Sequence, residues 1–122
     1  MNSFKRRARE FALLCALPVF AEGAPLSGEL LFDVACRACH SLGADHRVGP
    51  PLGGIARREV GSVEGYPYSE ALMATGGNWT VASLAAWLTD PDRFAPNTTM
   101  KYNNELTATE IQELSEWLMA QP

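Results

Sequence analysis

The chain has 122 residues, 47% of them hydrophobic, and a formal net charge of −4 at pH 7, which together fit one small globular domain with some chain to spare. No basic patch and no basic stripe interleaved with aromatic residues occurs, which excludes the electrostatic footprint of a nucleic-acid binder. Three cysteines make an odd count, so at most two of them can act as a pair.

Residues 1–21 read as a secretory signal peptide. Lys5, Arg6, Arg7 and Arg9 form a basic start, Phe11 to Phe20 an apolar stretch, and Val19-Phe20-Ala21 a cleavage site after Ala21. An uncleaved anchor is the alternative. However, the apolar run is about half of the ~20 residues a spanning helix needs, and Pro18 interrupts it. Cys15 follows Leu14 rather than a small residue, which argues against a lipid-anchored cysteine, and the flanks of Arg6-Arg7 fit twin-arginine export poorly. Cleavage removes Cys15 and leaves the pair Cys36 and Cys39. From Glu22 onward thirteen acidic residues stand against Arg37, Arg47, Arg57, Arg58, Arg93 and Lys101, a balance of −7. An acidic surface points to basic or neutral partners, through steering more than affinity.

Ser27 caps a helix that begins near Gly28, with Leu30, Leu31, Val34 and Ala35 as its apolar stripe and Phe32 beside it as a core residue. This helix runs into Cys36-Arg37-Ala38-Cys39-His40. C-x-x-C-H is the attachment signature of a c-type haem. Two thiols must each reach one vinyl group of the same porphyrin, and two intervening residues on a tight turn put both sulfurs on one side. The next residue can then place its imidazole under the iron, so His40 is the candidate proximal ligand. Two other readings compete. A zinc site could use Cys36, Cys39, His40 and His46, but such sites usually separate their ligand pairs by a longer loop. A redox dithiol of Cys36 and Cys39 would need a thioredoxin-like setting that the flanking sequence lacks.

Residues 41–65, punctuated by glycines and by Pro50 and Pro51, read as a loop ordered by a cofactor rather than by regular structure. His46 within it reads as structural. Of Arg57 and Arg58, at least one could meet a haem propionate, because a guanidinium fork matches a carboxylate. Ser69 to Ala74 predicts a short helix stopped by Gly76-Gly77. Thr80 caps the next helix, which runs to about Thr89 with Leu84, Trp87 and Leu88 inward, and Pro91 ends it. Trp79 precedes it and needs a partner for its indole N–H, either a propionate or a carbonyl. Residues 91–106 read as a second loop, which carries Met100. Thr107 and Glu110 form a capping box for the last helix, whose apolar face is Ile111, Leu114, Trp117 and Leu118. Among the other methionines, Met73 and Met119 sit on helices as packing residues. Met100 lies in a loop able to cross the distal face, which favours it as the sixth ligand. The elements sum to four or five short helices with no strand and no internal repeat.

These residues resemble the class I cytochromes c, and within them the mitochondrial cytochrome c and bacterial cytochrome c2 group. The motifs are Cys36-Arg-Ala-Cys-His40, Gly49-Pro50-x-Leu52, Gly65-Tyr66-x-Tyr68, Trp79, Leu84-x-x-Trp87-Leu88, Pro91 and Asn97-Thr-Thr-Met100. The resemblance covers about Gly28 to Leu118. It implies an all-α cytochrome c fold, four to five short helices and loops wrapped around one covalently bound haem, over residues 22–122. It implies thioethers at Cys36 and Cys39 and axial ligands His40 and Met100. The Pro50 carbonyl would accept the other ring N–H of His40. Arg58, Tyr68 and Trp79 would surround a propionate, with Thr98 adding a hydrogen bond near it. Gly28 and Phe32 would meet Leu114 and Trp117 where the first and last helices cross, and His46 would tie the loops together. The chain departs from the family in three places. Trp87 stands where a Tyr is usual near the ligand sulfur. The loop from His40 to Gly49 is a little shorter. Lys101 is the one lysine after the leader, so the usual basic docking face is missing.

Filled axial sites disfavour catalysis at iron, and a thioether opposite an imidazole favours ferrous iron. The expected function is therefore a soluble periplasmic single-electron carrier, not an enzyme. It is expected to be a monomer without stable membrane insertion once the leader is cleaved, passing electrons between redox proteins with basic or neutral faces. A haem enzyme or gas sensor with a labile Met100 bond, and a cytochrome subunit tethered by an uncleaved leader, are the alternatives.

Overall fold

The computed structural model describes residues 13, 15–18, 23–24, 26–102 and 105–122. The helices in chain order are α1 (Gly28–Ala35), α2 (Glu70–Thr75), α3 (Val81–Thr89), α4 (Pro91–Phe94) and α5 (Ala108–Met119), with one 3₁₀ turn at Ile55–Arg57. Among the described residues the only β pairing is an isolated bridge between Glu59 and Asn78. The fold is therefore all-α, as the sequence predicts. Most of the proposed leader lies outside the described residues. No helix among the described residues is long and apolar enough to cross a membrane.

The caps predicted at Ser27, Thr80 and Thr107 are in place, and Ser69, expected as the first residue of α2, is instead its cap. The Ser27 hydroxyl accepts from Leu30 N at 3.3 Å, and the Ser69 hydroxyl accepts from Leu72 N at 3.3 Å. Thr107 and Glu110 satisfy each other's backbone N–H groups, with Glu110 accepting from Thr107 N at 2.9 Å and Thr107 accepting from Glu110 N at 3.2 Å. Such caps supply partners for N–H groups that a helix start otherwise leaves orphaned.

Two expectations need correction. The loop expected over 91–106 opens with α4. Asp90 accepts from Arg93 N at 3.1 Å, and Pro91 occupies the first helical turn, where its missing N–H costs nothing. Pro91 thus ends one helix by starting another. The apolar stripe of α1 is also rotated from its expected position. Gly28, Leu31 and Phe32 are buried, whereas Leu30 is 44% exposed and Val34 68% exposed.

The crossing of α1 with α5 explains that rotation. Gly28 sits against Trp117 so closely that a Cβ on it would overlap the Trp117 Cβ. One turn on, the Phe32 ring lies 5.6 Å from that of Trp117. Leu31, Phe32 and Leu114 are fully buried, and Leu118 almost so. Each such side chain contributes on the order of 1.5–3 kcal/mol by leaving water. Helix α3 packs on α5 from the other side with Leu84, Trp87 and Leu88. Its Trp87 joins Trp79 and Phe94 in a cluster, with Trp79 stacked on Phe94 at 5.8 Å and Trp87 edge-on to Phe94 at 5.7 Å. The three helices leave a hollow between them and the two long loops.

Candidate functional site

That hollow is a cavity of about 290 Å³, walled by Cys36, Cys39, His40, Pro50, Arg58, Tyr68, Trp79, Thr98 and Met100 among others. All nine site residues expected from the sequence therefore converge on one space, although they come from five separate stretches of chain.

The C-x-x-C-H stretch leaves α1 as a tight turn, in which Cys39 N and His40 N both donate to the Cys36 carbonyl, at 3.1 and 2.9 Å. The two cysteines form no disulfide with each other. Cys36 is half-buried, and burial, helped by the Cys39 charge, pushes its thiol up to about 11. His40 is buried, and its Nδ1–H donates to the Pro50 carbonyl at 2.7 Å. Burial lowers its pKa, partly offset by that hydrogen bond. The ring is therefore neutral near pH 7, with the lone pair on Nε2, which is the form a metal requires. Gly49 lies flat against this ring, where a Cβ would overlap it. Its N–H donates to the Cys39 carbonyl at 2.8 Å, which pins the loop to the motif.

On the opposite side, Asn97 takes a left-handed φ of 62° and turns the chain so that Thr98, buried, and Met100, half-buried, both line the cavity. The next wall holds Arg58, whose guanidinium donates to the carbonyls of Pro51, at 2.8 Å, and Gly53. The Tyr68 hydroxyl accepts from Val63 N at 3.1 Å, and burial raises its pKa, against the nearby Val63 N–H and Arg58 charge. Trp79 donates its backbone N–H to Arg58 O at 3.0 Å. Its indole N–H, on the cavity wall, has no acceptor among the described residues.

His46 does not line the cavity. It is exposed and stacks on Tyr66 with ring centres 6.2 Å apart, while the Tyr66 hydroxyl donates to Val48 O at 2.9 Å. That agrees with a structural role tying the loop together. Among the described residues no group of three His, Cys, Asp or Glu side chains is placed to hold a metal ion, so the zinc alternative lacks its geometry.

Tyr102, two residues beyond Met100, also lines the cavity and was not singled out from the sequence. Its hydroxyl donates to the Leu88 carbonyl, closing the loop onto the end of α3, and burial pushes its pKa up to about 12. An aromatic residue just after the loop methionine was the only signal for it.

The donor set fits a haem of c type. Two cysteine sulfurs lie three residues apart on one turn. A neutral imidazole is oriented through its far nitrogen, a thioether faces the same space, and an arginine and a tryptophan border it. Much of the wall is apolar, from Leu52, Ile55, Leu72, Leu84, Leu88 and Leu118, with Glu59 and Lys101 also on the lining.

Comparison with known proteins agrees. The family model described as cytochrome c matches residues 26–122. The chain is 40% identical to cytochrome c-550 of Nitrobacter winogradskyi over 90 residues, covering 72% of this chain and 82% of that protein. It is 38% identical to cytochrome c2 of Rhodoblastus acidophilus over 82 residues, 66% of this chain and 76% of that one. It is 36% identical to the c-type cytochrome cy of Rhodobacter capsulatus over 85 residues, 70% of this chain but only 43% of that longer protein. Extended over nearly all of the chain from α1 onward, these matches show that the protein belongs to the cytochrome c family and is an electron carrier with covalently bound haem c and its iron.

Proposed function

We propose that this protein is a periplasmic single-electron carrier, not an enzyme, in which His40 and Met100 are the axial ligands and Cys36 and Cys39 hold the haem by thioethers. The observation that carries this is the convergence of those four side chains on one cavity. The haem, when bound, supplies a one-electron iron centre. The protein's own contribution is to hold the ligands and exclude solvent. Pro50 fixes the tautomer and plane of His40 through its carbonyl. Gly49 lets the loop close on that ring, and Asn97 aims the 98–100 segment. Arg58 keeps three of its five N–H donors beyond the two carbonyl bonds. With Tyr68, Trp79 and Thr98, it would meet the propionates. With His40 and Met100 both holding the iron, the protein would leave no open site for an exogenous ligand.

Carbon monoxide tests this. The reduced holoprotein is expected not to bind it over minutes at neutral pH. Rapid formation of a carbonyl complex would instead support a sensor or enzyme in which the Met100 bond opens. Trp87 is the residue that would favour that second reading, because it lines the cavity in place of the family's usual Tyr and its indole can donate a hydrogen bond but not accept one.

The leader and the location belong to the same proposal. Export places the chain where covalent attachment can occur, and the mass of the native protein is expected to correspond to an N-terminus at Glu22. A mass that includes residues 1–21 would favour the tethered reading. Its partners would be redox proteins with neutral or basic faces, met by a monomer.

A further inference from the structure

We infer that the working face of this carrier is an apolar rim of balanced charge, and that it fits a redox protein presenting an apolar, near-neutral docking patch rather than a basic one. The inference rests on the proposed function, which makes the mouth of the cavity the electron port.

The observation is the rotation of α1. Leu26 and Leu30 are 43% and 44% exposed, and Val34 is 68% exposed. Leu30 and Val34, four residues apart, form one outward stripe along α1, and Leu26 lies just before its cap, Ser27. The stripe runs straight into the cavity rim. Ala35 and Cys36, next to Val34, line the cavity, and the turn beyond them leaves Ala38 and Cys39 exposed. Val48, 76% exposed, continues the rim. It is held beside that turn, because Gly49 N donates to Cys39 O and Arg47 donates to Arg37 O at 3.0 Å. Thr99 completes the mouth on the Met100 side. Exposed apolar residues scattered singly mean little, but a contiguous set bordering a functional opening marks an interaction site.

Charge decides the partner. Along the segments that build this rim, 26–48 and 99–102, Glu29, Asp33 and Asp45 are balanced by Arg37, Arg47 and Lys101. Two of these cations are already engaged, Arg37 by Asp33 and Lys101 by Asp92. The remainder of the chain from residue 49 carries nine acidic residues against Arg57, Arg58 and Arg93. Glu59 also lines the cavity, beside Arg58, so the residues around the mouth stay near charge balance and the excess acidity belongs to the other segments of the chain. A strongly basic partner would be drawn to the wrong faces, whereas an apolar patch would seat on the rim with no unpaired charge buried.

Electrodes coated with alkanethiols replace the unknown partner in the test. Voltammetry of the holoprotein would be compared on mixed methyl- and hydroxyl-terminated, amine-terminated and carboxylate-terminated monolayers. The expected result is fastest transfer on the methyl/hydroxyl surface. That rate should be nearly constant from about 0.01 to 1 M salt, a range over which the screening length falls from about 30 to 3 Å. Val34→Glu and Val34→Lys should both slow it, by about tenfold for the loss of one buried valine contact. Fastest and salt-sensitive transfer on the amine surface would overturn the inference, as would opposite effects of the two Val34 variants. Failure of the functional reading looks different, since a mediated titration in free solution would then show no reversible one-electron couple in the unmutated protein.

Discussion

Replacing Met100 by alanine is expected to leave haem covalently attached and to lower the midpoint potential by a few tenths of a volt, a sizeable share of the ~0.8 V range that axial ligands command. The thioether is a soft ligand that favours ferrous iron. Each ~59 mV lost corresponds to a tenfold shift in the one-electron equilibrium, so the variant would cease to exchange with the partners of the native protein. The same change should make the reduced protein bind carbon monoxide. Although its side chain packs against the core, Met100 follows α4 through Asn97 and Thr98 and does not itself lie on a helix. Secondary structure by circular dichroism should therefore stay near native. Potentiometric titration checks the first effect. An unchanged potential would mean that another side chain fills the sixth position in the native protein.

The second large effect concerns the fold. Gly28→Val should destabilise the holoprotein by at least the ~1–3 kcal/mol typical of overpacking. The side chain would have to occupy space held by Trp117, which is a Cβ and ring rather than a flexible tip. For a domain of this size each kcal/mol lowers the melting temperature by about 4–8 °C. Pairing it with Trp117→Ala should recover part of that loss, although Trp117→Ala alone is destabilising because it strips Phe32 of its ring neighbour. Such non-additivity is the signature of direct contact. Thermal denaturation of both single variants and the double variant measures it. Strict additivity would show that α1 and α5 do not meet at this point.

What the sequence made legible, and what it did not, follows from the range of each interaction. Caps are local, and Ser27, Thr80 and Thr107 all take the roles their types and spacing suggest. Cys36, Cys39, His40 and Met100 could be nominated from their chemistry, whereas Pro50, Arg58, Tyr68, Trp79 and Thr98 were placed by the family resemblance; all nine line the cavity. Two cysteines and a histidine in one frame have few uses, and a loop methionine beyond a proline-stiffened turn has few reasons to be there. The face of α1 was not legible from helical spacing alone, although the family resemblance placed Gly28 and Phe32 against Leu114 and Trp117. Leu30, Leu31, Val34 and Ala35 satisfy helical spacing as well as Gly28, Leu31, Phe32 and Ala35 do. The choice depends on Trp117, some ninety residues away, whose bulk demands a glycine opposite. Helix α4 was missed because a proline after a helical stretch signals a stop, and only Asp90 as a cap shows that it also begins a new turn. Tyr102 was missed because its place depends on a tertiary contact with the end of α3.

The central claim is that His40 and Met100 occupy both axial positions of a haem built into this cavity. The optical spectrum of the oxidised, haem-loaded native protein tests it most directly. The account predicts the weak far-red band of a methionine sulfur on ferric iron, lost in Met100→Ala. A native spectrum without that band would contradict it, and would move the protein from the electron carriers with two fixed ligands to those haem proteins whose sixth position is open.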